Sequence, residues 1–174
     1  MYLDPFLFLN HHGLQEYGKN NNGLPFGPHP HRGYETVTFI LEGDIKHKDS
    51  NGYESTITAG GVQWMTAGKG LIHEEVSSDK FKEQGCNLEI LQLWVNLPAK
   101  YKMVEPKYIG VQKEGIPKLD NKDKTVVINA VSGMWKDTKG GIDTLTDIAL
   151  ATIEIKKNAT YSLTIPKVNN IFFM

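Results

Sequence analysis

Short runs of β-branched and aromatic residues, separated by turns, constrain the fold of this chain most strongly. Residues 34–41 and 88–97 are two such runs, and turn-forming sequences occur at 42–44 and 49–52. Runs of this kind favour strands, and turns recurring about every 8–12 residues are typical of sandwiches and barrels. Because no convincing amphipathic helix interrupts the pattern, the sequence predicts an all-β sandwich or barrel.

Two pairs of metal-binding side chains share the same spacing. His29 and His31 are separated by one residue, as are His73 and Glu75. Residues i and i+2 of a strand project to the same face, so each pair would point together. On neighbouring strands the pairs would bring three imidazoles and one carboxylate to one point, a set that suits Fe(II), Mn(II), Ni(II) or Zn(II). Any one of these histidines alone would more often be a hydrogen-bonded core residue.

The alternation that follows the first pair predicts which way it points. Counting on from His29 and His31, the odd positions beyond Glu35 are more apolar than the even ones. We therefore expect the odd face to turn inward and the metal site to lie in an apolar pocket. Glu35 would then orient a ligand histidine from behind, although surface placement is nearly as compatible with the pattern. Arg32 is expected to pair with an acid such as Glu35.

Composition excludes several classes of function. The formal net charge of the 174 residues is −1 and no basic block occurs, which argues against direct binding to nucleic acid. Cys86 is the only cysteine, so an intrachain disulfide is impossible and a reducing compartment is the default. We find no run of about 18 apolar residues and no signal peptide, and we expect a cytoplasmic protein.

The chain is expected to form two units. We assign residues 1–106 to an N-terminal metal-binding domain and 107–174 to a weaker, partial unit with strand candidates at 126–131, 149–155 and 161–165. No histidine follows His73, so the second unit cannot build a similar imidazole site. Residues 77–85 are polar and are expected to form a loop.

Several segments fit one family pattern in order: HPHRGYETV at 29–37, GVQWMTAG at 61–68, GLIHEE at 70–75 and LQLWVNLP at 91–98. They resemble the pirin family of the cupin superfamily, and the resemblance is strongest from residue 26 to 98. It implies a cupin barrel, a double-stranded β-helix or jelly roll, followed by a partial second cupin-like unit. In that family the H-x-H and H-x-E pairs hold one metal ion, which implies His29, His31, His73 and Glu75 as ligands. Glu74 is excluded because it faces the other side of its strand.

The resemblance also implies which metal is bound. The chain differs from a typical member of the family in its length. Iron is the usual metal, so Fe(II) is expected first, with Mn, Ni, Zn, Cu or Co as alternatives. A typical pirin is considerably longer and has two cupin domains, whereas the second cupin here stops partway. The chain ends on the apolar residues 170–174, an unpaired strand edge of the kind that proteins normally cover. We therefore expect a second copy to supply the missing strands in a homodimer.

For function, the resemblance implies an iron-dependent dioxygenase that cleaves a flavonol of the quercetin type with O₂. The hydroxyl of this small-molecule substrate would bind the metal, and Glu75 would accept its proton as the catalytic base. The alternative is a non-enzymatic, metal-dependent interaction protein, similar to the eukaryotic pirins that act as transcription cofactors through a protein partner. A third reading is a degenerate cupin that holds an adventitious metal.

Overall fold

Strands dominate the computed structural model, which describes residues 3–164. The strands are β1 (Phe6–Tyr17), β2 (Phe26–His31), β3 (Tyr34–Glu42), β4 (Asp44–Asp49), β5 (Glu54–Thr58), β6 (Val62–Thr66), β7 (Leu71–Val76), β8 (Cys86–Asn96), β9 (Lys107–Val111), β10 (Lys118–Asp120), β11 (Val126–Ser132), β12 (Met134–Trp135), β13 (Thr138–Lys139) and β14 (Leu150–Ile155). The described part of the chain has one α-helix, α1 (Asp79–Gln84), and short 3₁₀ turns at Ala99–Tyr101 and Lys113–Gly115. The predicted all-β class is confirmed. No described helix has the length and apolar character needed to span a membrane.

The first compact unit, Pro5–Lys113, is a sandwich of two antiparallel sheets. One sheet has the strand order β1-β8-β3-β6-β9 and the other β2-β7-β4-β5. Side chains from both sheets, including Ile40, Ile45 and Leu88, are almost fully buried and form an apolar core. Strand β9, which the sequence analysis assigned to the second unit, pairs with β6 and so belongs to this one.

The described residues of the second compact unit are 3–4 and 114–164. Within its described residues, β10, β11 and β14 form one sheet and β12 pairs with β13. Strands β11 and β14 lie close to the predicted runs 126–131 and 149–155. Residues 161–164 are not in a strand, which corrects most of the third expected run. Residue 165 and the apolar end 170–174, on which the expected homodimer rests, lie outside the described residues.

The chain changes sheets between β2 and β3, and this overturns the expected alternation. β2 ends at His31 in the four-stranded sheet, and β3 begins at Tyr34 in the five-stranded sheet. Gly33 lies between them with a φ of +79°, a conformation that favours glycine. The odd positions of β3 therefore do not continue the histidine face. Its even residue Thr38 hydrogen-bonds to Glu75 of the opposite sheet, so the face towards the site is polar rather than apolar.

The expected loop at 77–85 contains helix α1, so that expectation was wrong. The side chain of Ser78 caps the helix by accepting the backbone N–H of Phe81 at 3.1 Å. The ring of Phe81 is buried in the core, and Gly85 ends the helix with a φ of +73°. A helix of 6 residues is too short to show a periodic apolar face in the sequence.

Gly68 provides a test of the turn between β6 and β7. Its φ is +50°, and a Cβ atom there would overlap the backbone carbonyl of Val104. Because backbone strain and steric overlap add, we expect Gly68→Ala to lower the free energy of unfolding by about 3 kcal/mol or more. Gly52 is the matched control, since its φ is +85° but nothing lies within 4 Å of the added Cβ. Gly52→Ala should cost only about 1 kcal/mol; equal losses in urea denaturation would contradict this reading.

Candidate metal centre

Three imidazoles converge between the paired strands β2 and β7. In the antiparallel register, His29 lies directly opposite His73, and His31 follows two residues along β2. The ring centroids are 4.4 to 4.8 Å apart, and one ring nitrogen from each residue lies within 4.8 Å of the other two. The structure therefore gathers these three predicted ligands into one cluster.

Hydrogen bonds orient the two rings of β2. Nδ1 of His29 lies 2.7 Å from the backbone carbonyl oxygen of Gly27, which can only accept, so this nitrogen carries the hydrogen. Nδ1 of His31 bonds to the hydroxyl of Tyr34. Engagement of Nδ1 leaves Nε2 of each ring for the centre of the cluster. This arrangement, with one ring nitrogen held by the protein and the other free, is typical of metal-binding histidines.

The cluster fits a divalent metal ion. The Nε2 atoms of His31 and His73 are buried and have no hydrogen-bond partner among the residues described. A buried polar atom without a partner is costly, and a bound cation would supply the missing partner for both nitrogens. Three neutral imidazoles suit borderline ions such as Fe(II), Ni(II) and Zn(II). His29, half-buried, would be the third nitrogen ligand at the more open side.

Burial keeps the imidazoles in the form that binds metal. It lowers the pKa of His31 to about 4, with a further contribution from His29. Burial also lowers the pKa of His73 to about 2, and the neighbouring imidazoles His31, His29 and His47 add to the shift. Both rings are therefore neutral at pH 7, and neutral imidazole is the species that donates a lone pair to a metal.

Glu75 is buried beside the cluster, on the same face of β7 as His73. Its carboxylate accepts hydrogen bonds from Thr38 at 3.3 Å, Gln63 at 3.2 Å and Gln92 at 2.7 Å. Burial raises the pKa of Glu75, and these hydrogen bonds only partly oppose the shift. The structure does not bring the carboxylate oxygens of Glu75 into the cluster of imidazole nitrogens.

Two other residues that the sequence analysis named, Glu35 and Arg32, lie outside the imidazole cluster. Glu35 is buried and its carboxylate accepts a 2.6 Å hydrogen bond from the hydroxyl of Thr66. As an odd residue of β3 it is on the opposite face from Thr38, away from the imidazoles, so the idea that it orients a ligand histidine is not supported. The guanidinium of Arg32 contacts the sulfur of Met103 at 3.4 Å, and no acid pairs with it among the described contacts.

Sequence reasoning missed a second buried pair behind the cluster. Nε2 of His47 lies 3.0 Å from the carboxylate of Asp49, and each side chain is only 1% exposed. The ring of Tyr108 stacks on His47 with centroids 3.9 Å apart. The signal was present, because His47 and Asp49 have the same i, i+2 spacing as the pairs that were recognised.

An antiparallel sandwich with convergent imidazoles on two paired strands defines the class as a cupin with a candidate metal centre. The Pirin family model matches residues 1–95, which is more than half of this chain. The chain belongs to the pirin family, and the resemblance noted from the sequence is confirmed.

Individual relatives and solved structures support the assignment to this family. Human pirin is 37% identical over 166 residues, which cover 95% of this chain and 53% of the human protein. A pirin-like protein of Caulobacter vibrioides is 43% identical over 138 residues, covering 79% of this chain and 48% of the relative. The crystal structure of a quercetin 2,3-dioxygenase from Acinetobacter baumannii matches with a TM-score of 0.81 at 39% identity, over 86% of this chain and 52% of that one. The chain thus spans about half the length of the curated relatives it matches.

The hydrogen bonds around Glu75 generate a stability prediction. Gln92→Leu removes the shortest of them and leaves one carboxylate oxygen buried without its donor. We expect a loss of about 2 kcal/mol in the free energy of unfolding, measured on metal-free protein by urea denaturation. In a Glu75→Gln background the same change should cost less, because a neutral amide oxygen accepts a weaker hydrogen bond than a carboxylate does. Equal costs in both backgrounds would show that the Gln92 donor does not act on the carboxylate.

Proposed function

We propose that His29, His31, His73 and Glu75 hold one divalent metal ion, Fe(II) first among the candidates, in a site for dioxygenase chemistry on a flavonol-like substrate. The observation that carries the proposal is the convergence of the three imidazoles with two buried Nε2 atoms that have no hydrogen-bond partner among residues 3–164. Support for the reaction comes from the similarity to the quercetin 2,3-dioxygenase of Acinetobacter baumannii.

Glu75 is proposed as the fourth ligand and as the proton acceptor. It lies two residues from His73 on the same face of β7, beside the imidazole cluster. A carboxylate offers about four lone-pair positions, so it can keep the hydrogen bond from Gln92 while another oxygen turns to the cation. The Glu75 carboxylate would accept the proton of a substrate hydroxyl, and burial, by raising the pKa of Glu75, makes it a stronger base.

Aromatic side chains beside the cluster suit a planar substrate. The rings of Tyr34 and Trp94 lie 4.8 Å apart at an interplanar angle of 30°, and both contact the ring of His31. Flat aromatic rings such as those of a flavonol pack well against surfaces of this kind. A bound metal would supply Lewis acidity towards the substrate oxygen. The protein side chains would orient the substrate and limit the access of water.

Metal binding is tested first by removing a proposed ligand. His73→Ala should abolish stoichiometric metal in protein purified without chelators, measured by elemental analysis. A ligand at 100 times its Kd stabilises the folded state by about 2.7 kcal/mol, and this metal-dependent gain should vanish in the variant. His12→Ala, on β1 and outside the cluster, is the matched control. It should keep both the stoichiometric metal and the metal-dependent gain in stability. Retention of one metal per chain in His73→Ala would contradict the proposed coordination.

Oxygen uptake tests the reaction. Iron-loaded protein given a flavonol should consume O₂, and His31→Ala should lower the rate by more than about 100-fold, because loss of a ligand is more severe than loss of a supporting residue. The matched substrate control is a flavone that lacks the 3-hydroxyl, which should not be consumed. Metal-loaded wild-type protein that takes up no oxygen with any of the metals would contradict the enzyme proposal and favour the protein-interaction alternative.

A further inference from the structure

The buried Asp49–His47 pair touches the cluster through His73. Nδ1 of His47 lies 3.4 Å from Nδ1 of His73, and Nε2 of His47 faces the Asp49 carboxylate. We infer that Asp49 and His47 are positioning residues that hold the hydrogen of His73 on Nδ1 and so leave Nε2 as a lone pair for a metal ion. The inference rests on the proposed metal site and deepens it.

The orientation of the Asp49 carboxylate is the first step. Its Oδ1 atom accepts the backbone N–H groups of Asn51 at 2.9 Å and Tyr53 at 3.2 Å, within the turn between β4 and β5. Two backbone donors therefore fix this oxygen as an acceptor. Only Oδ2 remains for His47, at 3.0 Å from its Nε2.

The hydrogen on His47 follows from that contact. A carboxylate only accepts hydrogen bonds, so Nε2 of His47 must be the donor. Stacking on Tyr108, with an interplanar angle of 13°, holds the ring in this plane. With its hydrogen on Nε2, the neutral His47 ring presents a lone pair at Nδ1 towards His73.

The last step assigns the ring hydrogen of His73 to Nδ1. Its Nδ1 can form the observed contact with the His47 lone pair only as a donor. The opposite assignment would place the hydrogen on Nε2 of His73, a buried atom that has no acceptor among the described residues. Only the assignment with a lone pair at Nε2 lets a metal ion satisfy that atom. The backbone carbonyl that holds His29 can only accept a hydrogen bond. A histidine partner can either donate or accept, so the Asp49 carboxylate is needed to fix the direction of the hydrogen bond between His47 and His73.

Asp49→Asn tests the inference because it should reverse the chain of hydrogen bonds. The two backbone donors still require an oxygen at the Oδ1 position, so the new amide nitrogen replaces Oδ2 and donates to His47. The hydrogen of His47 then moves to Nδ1 and that of His73 to Nε2. Competition of metal-free protein for Ni(II) against a chromophoric chelator should show an affinity loss of about 10- to 100-fold. Lys48→Asn, the exposed residue between the pair, is the matched control and should bind as wild type does.

A second variant separates positioning from a merely structural role. His47→Phe keeps a ring against Tyr108 but removes both nitrogens. If Asp49 acts through His47, Asp49→Asn added to His47→Phe should change Ni(II) affinity by less than about twofold, so the two losses are non-additive. Additive losses, or wild-type affinity in Asp49→Asn alone, would overturn the inference.

Nitrogen-15 NMR of the metal-free protein reads the hydrogen position directly. We expect the His73 hydrogen on Nδ1 in the wild type and on Nε2 in Asp49→Asn, with both proteins folded. A hydrogen on Nε2 in the wild type, or one that stays on Nδ1 in the variant, would overturn the inference even if affinity changes. Wild-type protein that binds no Ni(II) would instead count against the proposed metal site, while the NMR result would still decide the role of Asp49.

Discussion

The antiparallel pairing of β2 with β7 is the constraint on which the rest of the site depends. It places His29 opposite His73, and the period of two along each strand adds His31 on one side and Glu75 on the other. A slip of one residue in either strand would send the side chains of that strand to the opposite face and disperse the cluster. The site is therefore a property of the register between β2 and β7.

Burial explains both the energetic cost of the polar groups in this site and their suitability for binding a metal ion. The inner faces of the two sheets enclose imidazoles and carboxylates that water would otherwise solvate, and side-chain amides and hydroxyls replace only part of that solvation. Within the imidazole cluster, the Nε2 atoms of His31 and His73 find no hydrogen-bond partner in the described part of the chain. A cation bound there would offset the cost of the buried carboxylate as well as that of the nitrogens, which links metal binding to fold stability.

The sequence was most informative where structure is local. The all-β class follows from run length and turn spacing, and the repeated i, i+2 spacing marks residues that the structure does gather. The errors arise where a single backbone conformation redirects the chain: at Gly33, a change of sheet reverses which face of β3 is inward. Helix α1 was missed because capping by Ser78 and burial of Phe81 stabilise it without a periodic pattern. The His47–Asp49 pair was overlooked because its role depends on a contact with another strand.

X-ray absorption spectroscopy of the metal-loaded protein tests the central claim most directly, because it reports the number and type of atoms bound to the ion. The account predicts three imidazole nitrogens at about 2.1 Å together with oxygen ligands. A spectrum with one imidazole or none would contradict the claim that His29, His31 and His73 share one ion.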